Sequence, residues 1–317
     1  MWLIKRILSV VLMVFIVDHS CANDGVVSFD MTSDSVVVLI DGQRVTEYFV
    51  RDPSAKIQRP YFSHVKTIEG VQVTRSCPPG PDDRQDHATM HPGIWLAFGD
   101  ISGVDFWRNK GRIEHVEFVR PPAVKDNTGS IAIRNRYVDE KGREVCMEKL
   151  CVEIVAYKDF YMLQFDSIFS GMNHFSFGDQ EEMGLGIRVV SPLSEKHGGQ
   201  VLVPAGITTA KKFWGQPISW CDFSGTVENK RVGIALFCSP QNHYQSWCHC
   251  RDYGLLVANC FGRHAMRQGE KSHVDVHSGQ SLRLQYAVVV HGDMNAKKIS
   301  SVYEQYCSTH GSTESVE

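Results

Sequence analysis

The chain has 317 residues, of which 43% are hydrophobic and 22% are charged, and its formal net charge at pH 7 is −3. This balance is typical of a globular protein with a sizeable core, and it supplies no large basic field. Nucleic acid and anionic membrane surfaces are therefore not expected as partners.

The first 22 residues have the layout of a secretory signal peptide. Lys5 and Arg6 precede an apolar run over residues 7–17, and small residues follow up to Ala22. The run is too short to span a membrane comfortably as a permanent helix. A lipid attached to Cys21 is the alternative, but the polar residues before it do not favour this modification. We expect a secreted or periplasmic protein whose mature chain begins near residue 23.

Short strand patterns separated by polar turns follow along the mature chain. Val26–Ile40 contains two strand-like runs and leads into an Asp41-Gly42 hairpin signal, and residues 130–138 alternate cleanly between apolar and polar. Sustained helical periodicity occurs only over residues 295–307. The sequence predicts an all-β fold, a large antiparallel two-sheet β-sandwich with a short C-terminal helix, in one domain over residues 23–310.

Residues 86–107 combine site chemistry with turn chemistry. An apolar strand over residues 94–98 lies between Pro92-Gly93 and Gly99-Asp100, so His91 and Asp100 stand where the strand enters and leaves the sheet. Trp95 offers a flat apolar face to a sugar-like ring. The alternative is that the tryptophan belongs to the core and the histidine caps a turn.

Two neighbouring glutamates, Glu181 and Glu182, precede the glycine-rich segment G-L-G-I-R. A carboxyl group there could act opposite the imidazole of His91, whose ordinary pKa is near neutrality. Adjacent residues of a strand point to opposite faces, so we expect only one of the two, Glu182, to enter the site. The alternative is a solvated charge paired with Arg188.

His249, Arg251 and Tyr253 alternate along one extended segment, so all three side chains are expected on the same side. A guanidinium between an imidazole and a phenol could clamp a carboxylate or vicinal hydroxyls. The alternative for Arg251 is a salt bridge with a neighbouring aspartate. Trp220 precedes a turn and is assigned to substrate binding, although a core position is the more ordinary interpretation.

No metal and no cofactor are predicted. His87 and His91 are four residues apart, but Pro92 and the lack of a neighbouring glutamate argue against a zinc helix. Cys248-His249-Cys250 lacks the spacing of structural zinc sites. The remaining nine of the ten cysteines are an odd number, and we expect mostly buried free thiols with one or two disulfides at most. Phosphate loops, nucleophile elbows and dinucleotide fingerprints are absent from the sequence.

Five ordered segments resemble one family, the PmoA-like (DUF6807) proteins. They are R-P-Y-F from Arg59, H-P-G-I-W-L-A-F-G-D from His91, Q-E-E-M-G-L-G-I-R-V from Gln180, W-C-D-F-S-G from Trp220 and H-C-R-D-Y-G-L from His249. The resemblance covers nearly the whole mature chain. It implies a secreted or periplasmic bacterial β-sandwich similar to the two-sheet supersandwich of sugar mutarotases. It implies no reaction and no set of catalytic residues.

Together these patterns predict a secreted carbohydrate-active protein. Acid/base chemistry on a glycan or sugar derivative would give hydrolysis, elimination or epimerisation. The alternative is a non-catalytic carbohydrate-binding or scaffold protein. The predicted catalytic residues are His91, Glu182 and His249, and the predicted substrate-binding residues are Arg251, Tyr253, Trp95, Trp220 and Asp100.

Overall fold

The computed structural model describes residues 25–310, so the predicted signal peptide lies outside the described residues. Most of the described chain forms two large sheets in which every strand pair is antiparallel. Strands are numbered in chain order. Sheet I contains, in spatial order, β1 (Val27–Met31), β2 (Ser35–Ile40), β3 (Gln43–Phe49), β4 (Tyr61–Ser63), β5 (Ile94–Phe98), β11 (Met183–Arg188), β17 (Leu255–Asn259) and β16 (Trp247–Arg251).

Sheet II has nine strands and carries the longest β-strands of the described chain. In spatial order they are β13 (Gly206–Thr208), β12 (Gln200–Val203), β14 (Trp220–Val227), β15 (Lys230–Cys238), β19 (Ser281–His291), β9 (Phe160–Ser170), β8 (Glu144–Ala156), β7 (Thr128–Val138) and β6 (Arg112–Lys125). A separate two-stranded ribbon pairs β10 (Phe175–Phe177) with β18 (Val274–Val276). The helical elements are 3₁₀ turns at Ser191–Leu193 and Glu195–His197, α1 (Ala210–Phe213) and α2 (Ala296–His310).

The main core lies between the two sheets. Phe98 of β5 meets Phe169 of β9 edge-on, with ring centroids 5.4 Å apart. Alternate residues of β11, including Leu185 and Ile187, are fully buried in the same cluster. Since side chains alternate across a strand, the intervening residues of β5 and β11 must face away from sheet II. The prediction of a two-sheet antiparallel sandwich is confirmed.

Helix α2 covers the outer face of sheet II. Ile299 and Val302 of the helix pack against Trp220 and Phe237 in a second apolar cluster. The period of the apolar residues is what allows the helix to bury one stripe on the sheet. The predicted C-terminal helix is therefore confirmed, and its docking surface consists of residues from β14 and β15.

A buried charge pair joins two strands of sheet II. His291 Nε2 donates to Asp222 Oδ1 at 3.0 Å, and its Nδ1 donates to the carbonyl of Gly292 at 2.7 Å. Both side chains are inaccessible to solvent. Burial lowers the pKa of the imidazole, but the carboxylate of Asp222 raises it above its ordinary value. An acceptor at each nitrogen favours the imidazolium form of His291.

The cysteines of residues 25–310 are free thiols, and six of the nine are buried. Over the same residues, none of the helices combines the length and apolar character that crossing a bilayer requires. The expectation of mostly buried thiols agrees with this arrangement.

Candidate functional site

The outer face of sheet I carries a row of cross-strand neighbours at its centre. Trp95 of β5 pairs with Gly186 of β11, Gly186 with Val257 of β17, and Val257 with His249 of β16. The side chains of Trp95, Val257 and His249 therefore project from the same face, and Gly186 leaves an opening on that face. A Cβ atom at Gly186 would lie 2.7 Å from Trp95 and 2.9 Å from Trp107. Glycine at this position therefore leaves room for two indole rings on the face.

Four aromatic rings, which we call the ring stack, lie one above another on this face. The centroids are separated by 6.2 Å from Tyr253 to His87, 4.8 Å from His87 to His91 and 5.1 Å from His91 to Trp95. Trp107 meets Trp95 edge-on at 5.1 Å. The His87 side chain is 40% exposed, whereas His91 and Trp95 are each 1% exposed. Only His87 and Tyr253 are open to a ligand.

His91 is a neutral imidazole inside the ring stack. Burial, followed by the positive charge of Arg188, holds the pKa of His91 well below its ordinary value. Within residues 25–310, neither of its ring nitrogens has a hydrogen-bond partner. The ring can therefore donate one hydrogen bond and accept another, but it supplies no charge.

Buried arginines lie around the ring stack. Arg188 donates to Asp86 Oδ1 at 2.8 Å, and its guanidinium carbon lies 4.4 Å from the ring centroid of Tyr253. Arg75 Nη1 lies 3.5 Å from the same carboxylate. Partial burial raises the pKa of Asp86, but the hydrogen bond and charge of Arg188 hold it well below its ordinary value. Asp86 is therefore ionised at neutral pH, and the two buried guanidinium groups share it with the partly exposed Arg84.

The same arginines fix the loop that carries two members of the ring stack. Arg75 donates to four main-chain oxygens of residues 84–91, and Arg59 donates to a fifth, that of Met90. Arg59 also donates to the carbonyls of Phe106 at 3.0 Å and Trp107 at 2.9 Å. The loop has no regular secondary structure, and two buried side chains replace the hydrogen bonds that a sheet would provide.

The carboxyl group of Glu182 is part of an ion-paired group at the entrance to β11. It contacts the guanidinium of Arg108, which also donates to Asp105 at 2.9 Å. Burial raises the pKa of Glu182, and the positive charge of Arg108 only partly opposes this effect. Its side chain is 14% exposed. Glu182 is thus a partly accessible carboxyl group that holds a proton more readily than an ordinary glutamate.

Glu181 belongs to a second polar group on the same face. Arg251 Nη2 donates to its carboxylate at 3.2 Å, and His249 Nδ1 lies 3.6 Å from the same oxygen. Trp214 Nε1 donates to His249 Nδ1 at 3.2 Å. Burial, with a smaller contribution from Arg251, lowers the pKa of His249 to about 3. His249 is therefore neutral, and because Nδ1 accepts from the indole, its proton is on Nε2.

Both glutamates lie at the candidate site, whereas strand alternation led us to expect only Glu182 there. Residues 181–182 form a bend before β11 begins at Met183, so the alternation of a strand does not apply to them. Each carboxylate raises the pKa of Arg108 through its charge, and Glu181 also raises the pKa of Glu182. The two polar groups are therefore electrostatic neighbours. The alternative pairing of Glu182 with Arg188 is not the one observed, since Glu182 pairs with Arg108.

The structure brings together six of the eight predicted site residues on the outer face of sheet I. It places Trp95 and His91 in the ring stack with Tyr253, and Glu182, His249 and Arg251 in the polar groups beside it. The pKa of Tyr253, which burial raises, is also influenced by the charges of Arg188, Arg251 and Glu182. The two groups are thus electrostatic neighbours.

Trp220 and Asp100 lie elsewhere. Trp220 is buried beneath α2 on the outer face of sheet II, so the core interpretation describes its position. Asp100 follows β5 in a turn, where its Oδ1 accepts a hydrogen bond from Gly103 N at 2.8 Å. Within residues 25–310, neither side chain shares a hydrogen bond or ion pair with the six residues on sheet I.

Sequence reasoning did not assign Arg59, Arg75, Arg108 or Trp214 to the site. Arg59, Arg75 and Arg108 reach it from separate loops and short segments, and no local spacing links them. Arg188 does carry a signal. It continues the alternation of Gly184 and Gly186 in an otherwise apolar strand, which places a charged group on the outer face.

Comparison with solved structures returned proteins of low sequence identity. An α-galactosidase from Geobacillus stearothermophilus is 11% identical over 85% of this chain, with a TM-score of 0.43. A galactose mutarotase-like protein from Clostridium acetobutylicum is 8% identical over 86% of this chain and 98% of its own, with a TM-score of 0.36. Another α-galactosidase, from Lactobacillus brevis, is 6% identical over 84% of this chain, with a TM-score of 0.39. The chain spans 41% of the length of the Geobacillus enzyme and 40% of the length of the Lactobacillus enzyme.

These TM-scores are below 0.5, so the likenesses support no statement about activity. A search of curated protein sequences found no match. The family comparison is different, since one family model matches residues 35–304. This range includes both sheets almost entirely, the ring stack and both glutamates. The chain therefore belongs to DUF6807, a family of unknown function.

Proposed function

We propose that the outer face of sheet I binds a carbohydrate and carries out acid/base chemistry on it. The observation that carries this proposal is the combination of Glu182, whose pKa is raised by burial, with the pair of Glu181 and neutral His249 on the same face. Two titratable groups in different environments are the arrangement that acid/base catalysis requires.

In this proposal Glu182 is the proton donor. Its raised pKa increases the protonated fraction at neutral pH, and the charge of Arg108 stabilises the carboxylate that remains after the proton has left. Glu181, held by Arg251, and His249 lie on the accepting side. Proton donation to a glycosidic or ring oxygen, with proton removal from water, a hydroxyl or a carbon, would give hydrolysis, epimerisation or elimination.

The sugar ring is proposed to lie against the exposed end of the ring stack. His87 and Tyr253 present partly exposed rings there, and planar apolar faces suit the hydrogen-bearing face of a sugar. Trp95 is too deeply buried to contact the substrate directly. Its part, with His91, is to hold the outer rings in position.

The test is an activity screen in which Glu182→Gln is compared with the unaltered chain. Purified protein would be incubated with plant and algal oligosaccharides, and products followed by mass spectrometry, by absorbance of unsaturated sugars and by NMR of the anomeric protons. We expect product formation that falls at least about a hundredfold in Glu182→Gln, because general acid catalysis contributes about 10²–10⁴-fold. Glu114→Gln is the matched control, since Glu114 is also paired with arginines but lies on sheet II. Equal activity of Glu182→Gln and Glu114→Gln would contradict the assignment.

A second candidate is carbohydrate binding without catalysis. The observation in its favour is that His91 and His249 are each only 1% exposed, so neither imidazole meets a ligand without some movement. Binding measured by calorimetry with no product by any of the three methods would favour this function. His91→Ala tests the histidine separately: unchanged products would remove it from the mechanism.

Export is also proposed, on the signal-like pattern of residues 1–22. The measurement is N-terminal sequencing of the protein recovered from the cell envelope and the culture fluid of a bacterial host. A first residue at or near Asn23 is expected. Recovery of the uncleaved chain only from the cell interior would contradict export.

A further inference from the structure

Positive charge accumulates at one end of the candidate site. Three guanidinium groups share the carboxylate of Asp86, with nitrogen-to-oxygen distances of 2.8 Å from Arg188, 3.3 Å from Arg84 and 3.5 Å from Arg75. His87 Nδ1 lies 3.1 Å from the same carboxylate. We call these five residues the Asp86 end. At this end, one carboxylate is the shared counter-ion of three guanidinium groups, which are permanently charged.

Two further charges act on this end and do not balance it. Arg59 acts on His91 together with Arg75 and Arg188, and its guanidinium is bound to carbonyl and amide oxygens instead of a carboxylate. Asp83 acts on Arg75 through its charge. With Asp83 included, Arg75, Arg84 and Arg188 are matched by two carboxylates, whereas Arg59 is also acted on by the charges of Asp105 and Glu182 from the other end of the site. The local excess is positive in a chain whose formal net charge is −3.

The opposite end of the site has the reverse balance. Arg108 pairs with Asp105 and Glu182, and Arg251 pairs with Glu181, so two guanidinium groups are matched by three carboxylates. The face is therefore polarised. Its positive end lies at the ring stack, and its negative end contains the proposed proton donor.

Buried nitrogens at the positive end lack partners. Within residues 25–310, the Nε atoms of Arg59, Arg75 and Arg188 have no hydrogen-bond acceptor, and neither do the ring nitrogens of His91. These four side chains are each no more than 2% exposed. Burying several guanidinium groups with so few carboxylates is unfavourable, and an anion at the adjoining surface would offset part of this cost.

We infer that the substrate is an acidic sugar, whose carboxylate or sulfate group lies against Arg84 and His87 at the Asp86 end while the reacting part of the ring lies at Glu181 and Glu182. Arg84 and His87 are the accessible members of this end, at 38% and 40% exposure. The inference rests on the proposed carbohydrate function and adds the charge of the ligand and its direction on the face.

The probes are matched pairs in which the acidic group is either free, or is masked or removed. Trigalacturonate is compared with its methyl ester, and a sulfated carrageenan tetrasaccharide with its desulfated form, in calorimetric titrations of the full mature chain. Tricarballylate supplies three carboxylates without a sugar ring. We expect the charged member of at least one pair to bind at least about tenfold more tightly, which is about 1.4 kcal/mol, because hydrogen bonds to charged groups are stronger than those between neutral groups. The difference should shrink as salt is raised.

Each outcome decides a different question. Neutral members that bind as tightly as charged ones would overturn the acidic-sugar inference and leave the carbohydrate proposal standing. Binding of tricarballylate, without binding of any sugar, would overturn the carbohydrate proposal while keeping the anion site. No binding by any probe would overturn both.

Two variants locate the anion. Arg84→Gln and His87→Asn remove the accessible donors, and asparagine tolerates the positive φ of 50° found at His87. Both should lose the preference for the charged probe while retaining their melting temperatures. Arg283→Gln is the matched control, because Arg283 is 39% exposed and pairs with Asp166 on sheet II. Loss of preference in Arg283→Gln as well, or its retention in both site variants, would overturn the placement.

Discussion

Gly186 is the position where the fold and the candidate site are most directly linked. Substitution by alanine adds a Cβ atom 2.7 and 2.8 Å from two atoms of Trp95 and 2.9 Å from Trp107. Ordinary contacts of this kind are about 3.5–4.0 Å, so both indoles must move by several tenths of an ångström. Because His91 stacks on Trp95 at 5.1 Å, the displacement reaches the ring stack.

The expected cost of Gly186→Ala is about 1–3 kcal/mol, the range for overpacking a filled interior. For a domain of this size about 2 °C is lost per kcal/mol, so the melting temperature should fall by about 2–6 °C. Differential scanning calorimetry gives the melting temperature, and tryptophan fluorescence reports whether the indoles have moved. The acid/base activity should fall as well, because the ring stack positions the outer rings.

Gly80→Ala is the control for this substitution. A Cβ atom at Gly80 has only one neighbour within 4 Å, the Asp83 carboxylate at 3.7 Å, and no steric shift is required. An unchanged melting temperature and unchanged fluorescence in Gly186→Ala would refute the conclusion that this glycine makes room for the indoles.

Three further predictions concern other parts of the chain. Asp222→Asn should lower the free energy of unfolding by about 3–5 kcal/mol, because it leaves His291 buried without its counter-charge. Since the pKa of His291 is raised in the folded state, the stability advantage of the unaltered chain over Asp222→Asn should be full below about pH 6.5 and should decline as the pH rises through the pKa of the folded state. Urea titrations that show a pH-independent difference would contradict this prediction. Trp214→Phe removes the donor to His249 Nδ1, so nitrogen NMR should show a larger fraction of the Nδ1-protonated form, whereas an unchanged tautomer ratio would exclude the indole as its cause. Ile299→Ala should lower the free energy of unfolding by about 2–5 kcal/mol through a cavity under α2, and a loss below 1 kcal/mol would show that the helix is only loosely docked.

The period-2 patterns were sufficient to predict the sandwich, since strands with one buried face repeat every second residue. The same rule places His249 and Arg251 on one side, and both lie on the outer face of sheet I. It failed at Glu181 and Glu182, because the sequence does not mark where β11 begins. It also could not separate Trp220 from Trp95, since each is a buried tryptophan on a strand, and only the sheet topology shows which outer face each occupies.

The arginine contacts could not be predicted from local sequence patterns, for a different physical reason. Arg59 and Arg75 bind main-chain carbonyls, and a carbonyl acceptor has no signature in the sequence because every residue supplies one. Such contacts depend on the path of the chain in space. The pairing of Arg188 with Asp86 links residues 102 positions apart, so it too requires the complete fold.

The loop over residues 84–91 takes its shape from two arginines outside it, through bonds to its main-chain oxygens. Most of the side chains of the loop are consequently not needed to maintain that path. Substitution of the outward-pointing residues of the loop could therefore change which ligands bind, while the backbone that presents these residues keeps its path.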